Sequence, residues 1–197
     1  MDHTSYSEVR QYRRCPKAHD YKYHQRLKRK KKKIGLFKGS ILHEMVHAFV
    51  ESKRRKDYDG PDAWAVLAKY EAEFKDYFRE EREEHGDIVG DCGTIFRNYI
   101  KHYKNDPLKY EESEISIETP ISNGLMLRGV LDKVAVDEDK RRWIVDHKFV
   151  KSIPTVEDLM NEIQLLIYVW AWNQVHKDRP IDGIIWDFVR TKTPAIP

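Results

Sequence analysis

Apolar positions recur along this chain with two different periods, and the change from one to the other divides it. Up to about residue 104 the spacing is helical. Residues 5–26 open at a capping serine, Ser5 or Ser7, and turn Val9, Tyr12 and Tyr23 inward. Cys15-Pro16 interrupts that pattern, which predicts a kink or two short helices. A second helix is expected from about Gly39 to Lys56, with Ile41, Leu42, Met45, Val46, Phe49 and Val50 forming a strong apolar face. Asp57 to Pro61 reads as a turn. Residues 62–84 read as one helix with Trp64, Leu67, Tyr70 and Phe74 as its inner stripe, and another covers 92–104.

The period then falls to two. Glu114-Ile115-Ser116-Ile117-Glu118 alternates as a half-buried strand does, and Met126–Val136 and Trp143–Phe149 read as further strands joined by a turn at Asp137–Arg141. Thr155, three residues before Asp158, forms a capping-box pattern for a helix running to about Val175. A last strand is expected over Gly183–Val189. The order is helices, three strands, a helix and a strand, without internal repeat. That predicts one mixed α/β domain over 1–197, with a mainly helical lobe to residue 110 and a sheet core from 111.

Composition narrows the class. Of 197 residues, 35% are charged, yet the formal net charge is only +3, so distribution matters more than sign. Residues 28–33 are six consecutive cations. They read either as a solvated loop or as a phosphate contact in which Lys30, Lys31 and Lys32 meet DNA. The two cysteines, Cys15 and Cys92, form no CxxC pair, which excludes a thiolate zinc finger or a complete four-cysteine iron–sulfur site within this chain. No apolar run approaches a membrane span and the N-terminus lacks a signal peptide's apolar stretch, so the expectation is a soluble cytoplasmic protein.

The candidate chemistry lies in the strands. Asp132 interrupts an otherwise apolar strand, and Asp146-His147-Lys148 follows Trp143-Ile144-Val145 on the next. Charges at such positions cost several kcal/mol of desolvation unless they are paired or metal-bound. Residues two apart on a strand share a face, so Asp146 and Lys148 point together and His147 points away. In a hairpin, one register brings Asp132 beside them. Two carboxylates suit Mg²⁺ or Mn²⁺, and a neighbouring lysine can align a water for attack on a phosphodiester. A plain hairpin with a surface Asp–Lys pair has the same spacing.

Asp132…Asp146-His147-Lys148 resembles the Asp…(Asp/Glu)-X-Lys core of PD-(D/E)XK nucleases, and three further pieces resemble the RecB-like branch. Gly39-Ser40-Ile41-Leu42-His43 is similar to its Gly-x-x-x-His helix and Gln164-Leu165-Leu166-Ile167-Tyr168 to its Gln-x-x-x-Tyr motif. Ser7…Tyr12…Cys15-Pro16…Tyr21 is similar to its N-terminal pattern. The pieces stand in the family's order over roughly residues 5–172. The resemblance implies a restriction-endonuclease-like core: a central mixed sheet flanked by helices, with an N-terminal helical lobe that brings His43 into the cleft. It implies a divalent-metal-dependent deoxyribonuclease in which Asp132, Asp146, His43 and the backbone carbonyl of His147 hold Mg²⁺ or Mn²⁺. Lys148 would align the nucleophile, Gln164 and Tyr168 would hold the site and nearby DNA, and Glu114 could support a second metal. An exonuclease on linear or single-stranded DNA is the form it points to, with a flap endonuclease next, and a helicase or recombination protein as partner.

The chain departs from RecB-like members that carry an iron–sulfur cluster on four cysteines. Cys15 fits the first place, the other three are missing and Cys92 lies in the wrong region. Either the cluster was never there or the C-terminus has been cut away, and in the chain as given Cys15 reads as a small packed residue. Two readings compete with the nuclease. His43-Glu44-Met45-Val46-His47 is an H-E-x-x-H pattern that on a helix offers two imidazoles to zinc, with Glu71 or Glu73 as a distant third ligand. It leaves Asp132, Asp146, Lys148, Gln164 and Tyr168 unexplained. A catalytically silent DNA-binding module is the other, and the intact Asp132, Asp146 and Lys148 set argues against it.

Overall fold

A computed structural model describes residues 2–28, 33–122 and 124–191; the predicted DNA contacts Lys30, Lys31 and Lys32 lie outside them. A short strand, β1 (Asp2–Thr4), precedes α1 (Tyr6–Arg14) and α2 (Pro16–His19), which continues as a π-helical turn over Asp20–His24. Ser5 caps α1 by accepting the N–H of Glu8, and Pro16 opens α2 at a position where its missing N–H costs nothing. The break at Cys15 therefore gives two helices. Cys15 itself is exposed at that break, which corrects the reading of it as packed, whereas Cys92 is buried.

The helical lobe comprises α3 (Ile34–Arg54), α4 (Ala63–Glu73), α5 (Lys75–His85) and α6 (Ile88–His102), the last followed by a 3-10 turn over Tyr103–Asn105. The α3 helix begins five residues before the expected Gly39, because Phe37 is buried and meets Tyr70, Phe74, Tyr77 and Phe78. The same aromatic cluster breaks the expected 62–84 helix. Phe74, at φ −117° and ψ 24°, ends α4 and starts α5, so both helices can turn rings towards Phe37. Of the expected inner stripe, Leu67, Tyr70 and Phe74 pack partly buried against the core beside the buried Ala63, Val66 and Phe78, while Trp64 is 41% exposed.

The sheet holds β2 (Lys109–Ser122), β3 (Leu125–Val136), β4 (Arg142–Val150) and β5 (Gly183–Arg190). Along one edge β3 pairs antiparallel with the whole of β2. Its other edge is shared, parallel to β1 near Leu125 and antiparallel to β4 near Val136; β5 then adds parallel to β4. The mixed sheet flanked by helices is the architecture expected. Its connection from β4 carries α7 (Val156–Met160), opened by the Thr155–Asp158 capping box, and α8 (Gln164–Val175), so the helix expected over 155–175 is broken at 161–163. A core centred on α3 and α6 fills the helical side. A second, built from Ile117, Leu127, Leu131, Ile144, Tyr168 and Trp172, joins α8 to the sheet.

Candidate active site

The ladder between β3 and β4 runs to Lys133 opposite Val145 and stops. One more step in that register sets Asp132 against Asp146. There the carboxylate takes over from the backbone: Asp132 Oδ2 accepts the N–H of His147 at 3.0 Å. Asp146, 5% exposed, points the same way as Lys148, whose ammonium lies 3.1 Å from Oδ1 and 2.8 Å from Oδ2. The second of these contacts is short but off-line, and buried Oδ2 is left without an aligned hydrogen-bond donor. Burial, then the negative charge of Asp132, push the Asp146 carboxyl up to about 6 in spite of Lys148. Lys148 is also flanked by the Trp186 ring at 5.6 Å.

The helical lobe supplies the opposing wall. His43, on the inner face of α3, places Nε2 2.9 Å from Glu114 Oε1 and Nδ1 3.8 Å from Asp132 Oδ2. The hydrogen bond to Glu114 raises the imidazole above its ordinary value and lowers the carboxyl of Glu114 in turn. Glu114 reaches His43 by an unusual route. It lies in β2 between the Ser113–Lys133 and Ile115–Leu131 pairs, across from Asp132, with a left-handed φ of 49°. A side chain there costs about 1–3 kcal/mol of backbone strain, and the turn carries its carboxylate out of the strand. His43, Glu114 and Asp132 each present one ligand atom within 4.8 Å of the others. His43 and Glu114, with His147, Lys148 and Phe149, help to line a cleft of about 620 Å³.

His147 alternates with Asp146 and Lys148, and its ring enters the opposite side of the sheet. Lys133 Nζ donates to its Nδ1 at 3.0 Å, so Nε2 carries the proton and faces Asp187 Oδ2 and the Tyr99 hydroxyl, each at 3.0 Å. Tyr103 donates to the other Asp187 oxygen at 2.5 Å. Lys133 is 2% exposed, and desolvation lowers it to about 8; desolvation also lowers His147, assisted by the charge of Lys133. Burial pushes Asp187 up, but the close contact with His147, the hydrogen bond from Tyr103 and the nearby positive charge outweigh it, and the carboxyl ends below its usual range, although its Oδ2, like that of Asp146, has no aligned donor. Sequence reasoning missed this buried layer. Its one visible signal was Lys133, a cation in the apolar run Gly129 to Val136.

Gln164 and Tyr168 lie on one face of α8, joined by a 3.3 Å hydrogen bond from Nε2 to the hydroxyl. Tyr168 is 5% exposed and its ring covers Gly129, where a Cβ would come within 2.6 Å of it. The ring therefore fixes α8 against β3, leaving Gln164 as the more accessible of the pair. The H-E-x-x-H residues diverge. Only His43 joins the carboxylates, while His47 Nδ1 meets Ser113 at 3.3 Å, and Glu71 and Glu73 are exposed on α4. Among the described residues, the ligand group at the cleft is His43, Glu114 and Asp132, with no second imidazole in it.

The donor set fits a divalent cation. It offers carboxylate oxygens and one imidazole, three of them convergent, beside a buried carboxylate oxygen that has no aligned donor. Among the described residues no helix is long and apolar enough to cross a membrane.

Three comparisons bear on this arrangement. The model of the PD-(D/E)XK nuclease superfamily matches residues 3–196. One of the subunits of the ATP-dependent helicase/deoxyribonuclease of Streptococcus mutans serotype c is 26% identical over 137 residues; this covers 68% of the present chain and 13% of that protein, so the chain spans a small part of its relative. The crystal structure of SSO0001 aligns at 15% identity with a TM-score of 0.31, covering 76% of this chain and 71% of that one.

Proposed function

The chain belongs to the PD-(D/E)XK nuclease superfamily, and from that premise we propose that it hydrolyses DNA phosphodiesters with Mg²⁺ or Mn²⁺, as an exonuclease on linear or single-stranded ends. The observation that carries the reading is the meeting of His43, Glu114 and Asp132 beside a buried Asp146 oxygen without an aligned donor. Asp132, Asp146 and His43 would hold the cation with the backbone carbonyl of His147, and Glu114 would complete or extend the set. When bound, the cation supplies an acidified water and offsets negative charge on the phosphate. The residues of the chain do the rest. Lys148, held by Asp146, donates hydrogen bonds that orient the attacking water against the phosphorus. Asp132 grips the N–H of His147 and so fixes that strand segment. Gln164, at the start of α8, is hydrogen-bonded to Tyr168, whose ring covers Gly129 on the strand that carries Asp132. The name of the Streptococcus relative supports a deoxyribonuclease that works beside a helicase.

The test uses labelled single- and double-stranded DNA with Mg²⁺ or Mn²⁺. Lys148→Ala should lower cleavage at least ~100-fold, the scale of a lost transition-state donor, while Glu44→Ala retains most of it. Retained cleavage in Lys148→Ala, or peptide hydrolysis abolished by Glu44→Ala, would refute the assignment.

A further inference from the structure

The α1–α2 segment and its π-helical turn have no core of their own. From Asp2 to Lys28 no residue is buried, and only Tyr6 packs against the sheet core. A stretch of this length normally offsets its ordering entropy by burying apolar surface. Here the surface stays open instead. From Arg10 to Lys28 there are seven cations and a single acid, Asp20, which is engaged with Gln25 at 2.6 Å. Rings alternate with these cations. Tyr12 (56% exposed) sets its edge on His19, which stacks on Tyr23 at 5.0 Å, while Lys17 lies 5.8 Å from the Tyr21 ring (42% exposed) and Lys22 4.8 Å from Tyr23. Glu8 pins His19 at 3.2 Å, so the ladder of rings is held from below.

The segment is tied to the start of α8. Tyr6 donates to Glu162 at 3.1 Å and Arg10 reaches the other oxygen at 3.5 Å. Glu162 also accepts the N–H of Gln164, the first residue of α8.

We propose that residues 10–28 form a docking surface for single-stranded DNA, with Tyr12 and Tyr21 stacking on unpaired bases and Arg13, Arg14, Lys17 and Lys22 following the phosphates. The choice of DNA over RNA rests on the nuclease reading; the binding of an unpaired strand does not. The partner must be a polyanion, because six cations remain once Arg10 is committed to Glu162. It must be single-stranded, because a duplex keeps its bases stacked on one another and offers such a surface only phosphates.

The test is fluorescence anisotropy of the full chain with a labelled oligothymidylate, a blunt duplex and an oligouridylate, in EDTA so that nothing is cleaved. The oligothymidylate should bind most tightly. The Tyr12→Ala/Tyr21→Ala variant should lose about 10-fold or more on it and less than about 2-fold on the duplex. Lys17→Ala/Lys22→Ala should flatten the logarithmic salt slope by roughly 0.7 for each cation removed. All four substitutions are at exposed positions, and circular dichroism checks that they fold. Equal losses on both DNAs, or none, overturn the proposal, and tighter binding of oligouridylate overturns the choice of DNA. Hydrolysis of bis(p-nitrophenyl) phosphate by the unaltered protein with Mn²⁺ reports separately on the nuclease reading, so either can fail while the other stands.

Discussion

Replacing Asp146 by asparagine separates what this carboxyl costs the fold from what it contributes to chemistry. Burial and the adjacent Asp132 raise it from 3.8 to about 6. A carboxyl that ionises less readily in the folded chain than in the unfolded one destabilises the fold when it ionises. The cost is absent below about pH 4, where both states hold the proton, grows through the interval to about pH 6, and is complete above it. At about 1.4 kcal/mol per tenfold change in proton affinity, it amounts to about 3 kcal/mol at neutral pH. Asparagine keeps the shape and removes the charge, and Lys148, whose side chain is 39% exposed, can turn to water. In EDTA near neutral pH, Asp146→Asn should therefore be the more stable protein by up to ~3 kcal/mol, on the order of 6–12 °C in Tm for a chain of this size. Near pH 4 the difference should vanish. Adding Mn²⁺ should reverse the order, because a bound cation offsets the cost of the ionised carboxylate in the unaltered protein only. Thermal melts with and without Mn²⁺ at two pH values measure all of this. A variant less stable than the parent in EDTA at neutral pH, or equal stabilisation of both proteins by Mn²⁺, would refute the reasoning.

Two further outcomes follow from the packing around the cleft. Gly129→Ala drives a methyl into the Tyr168 ring, 2.6 Å from Cε1 and 2.8 Å from Cζ, and should cost about 1–3 kcal/mol in urea denaturation; Tyr168→Val in the same chain should restore stability without restoring cleavage, because Gln164 loses its partner. Glu51, buried between Arg54 and Ser113, is pulled down from 4.5 to about 2, first by the Arg54 hydrogen bond. A carboxyl lowered in this way stabilises the fold above about pH 4.5, by about 3 kcal/mol, and the gain drains as pH falls towards 2. Glu51→Gln should thus unfold more easily at neutral pH and converge with the parent in acid, as read from urea midpoints across pH.

The parts of the site that lie within one or two strands were legible because alternation is a short-range rule. An aspartate inside an apolar strand and an Asp-X-Lys on its neighbour share a face in every second register and stand side by side in one of them, and the structure realises that one up to Lys133–Val145. The expected strands Met126–Val136 and Trp143–Phe149 start and stop within a residue of β3 and β4 for the same reason. Features that depend on distant partners were not legible. The break at Phe74 serves Phe37, thirty-seven positions away, and a window on 62–84 contains neither glycine nor proline to announce it. The break at 161–163 frees Glu162 to bind Tyr6 and Arg10, more than 150 residues upstream.

Glu114 and Lys133 mark the deeper limit, and they face each other's chemistry across one sheet. Periodicity assigns both to strand positions and stops there. Whether Glu114 leaves the strand depends on a left-handed backbone that no residue type near it demands, and that His43, from another element, makes worthwhile. Whether Lys133 is solvated depends on the His147 ring that it meets, which Tyr99 of α6 holds from its other side. Together they explain how so much negative charge can gather at one end of the sheet. Asp132, Asp146 and Glu114 all act on the buried ammonium of Lys133, and their fields offset part of the desolvation that lowers it to about 8. With His147 and Asp187 it forms a second charged layer under the first. That layer sets positive charge behind the carboxylates and so offsets part of their mutual repulsion.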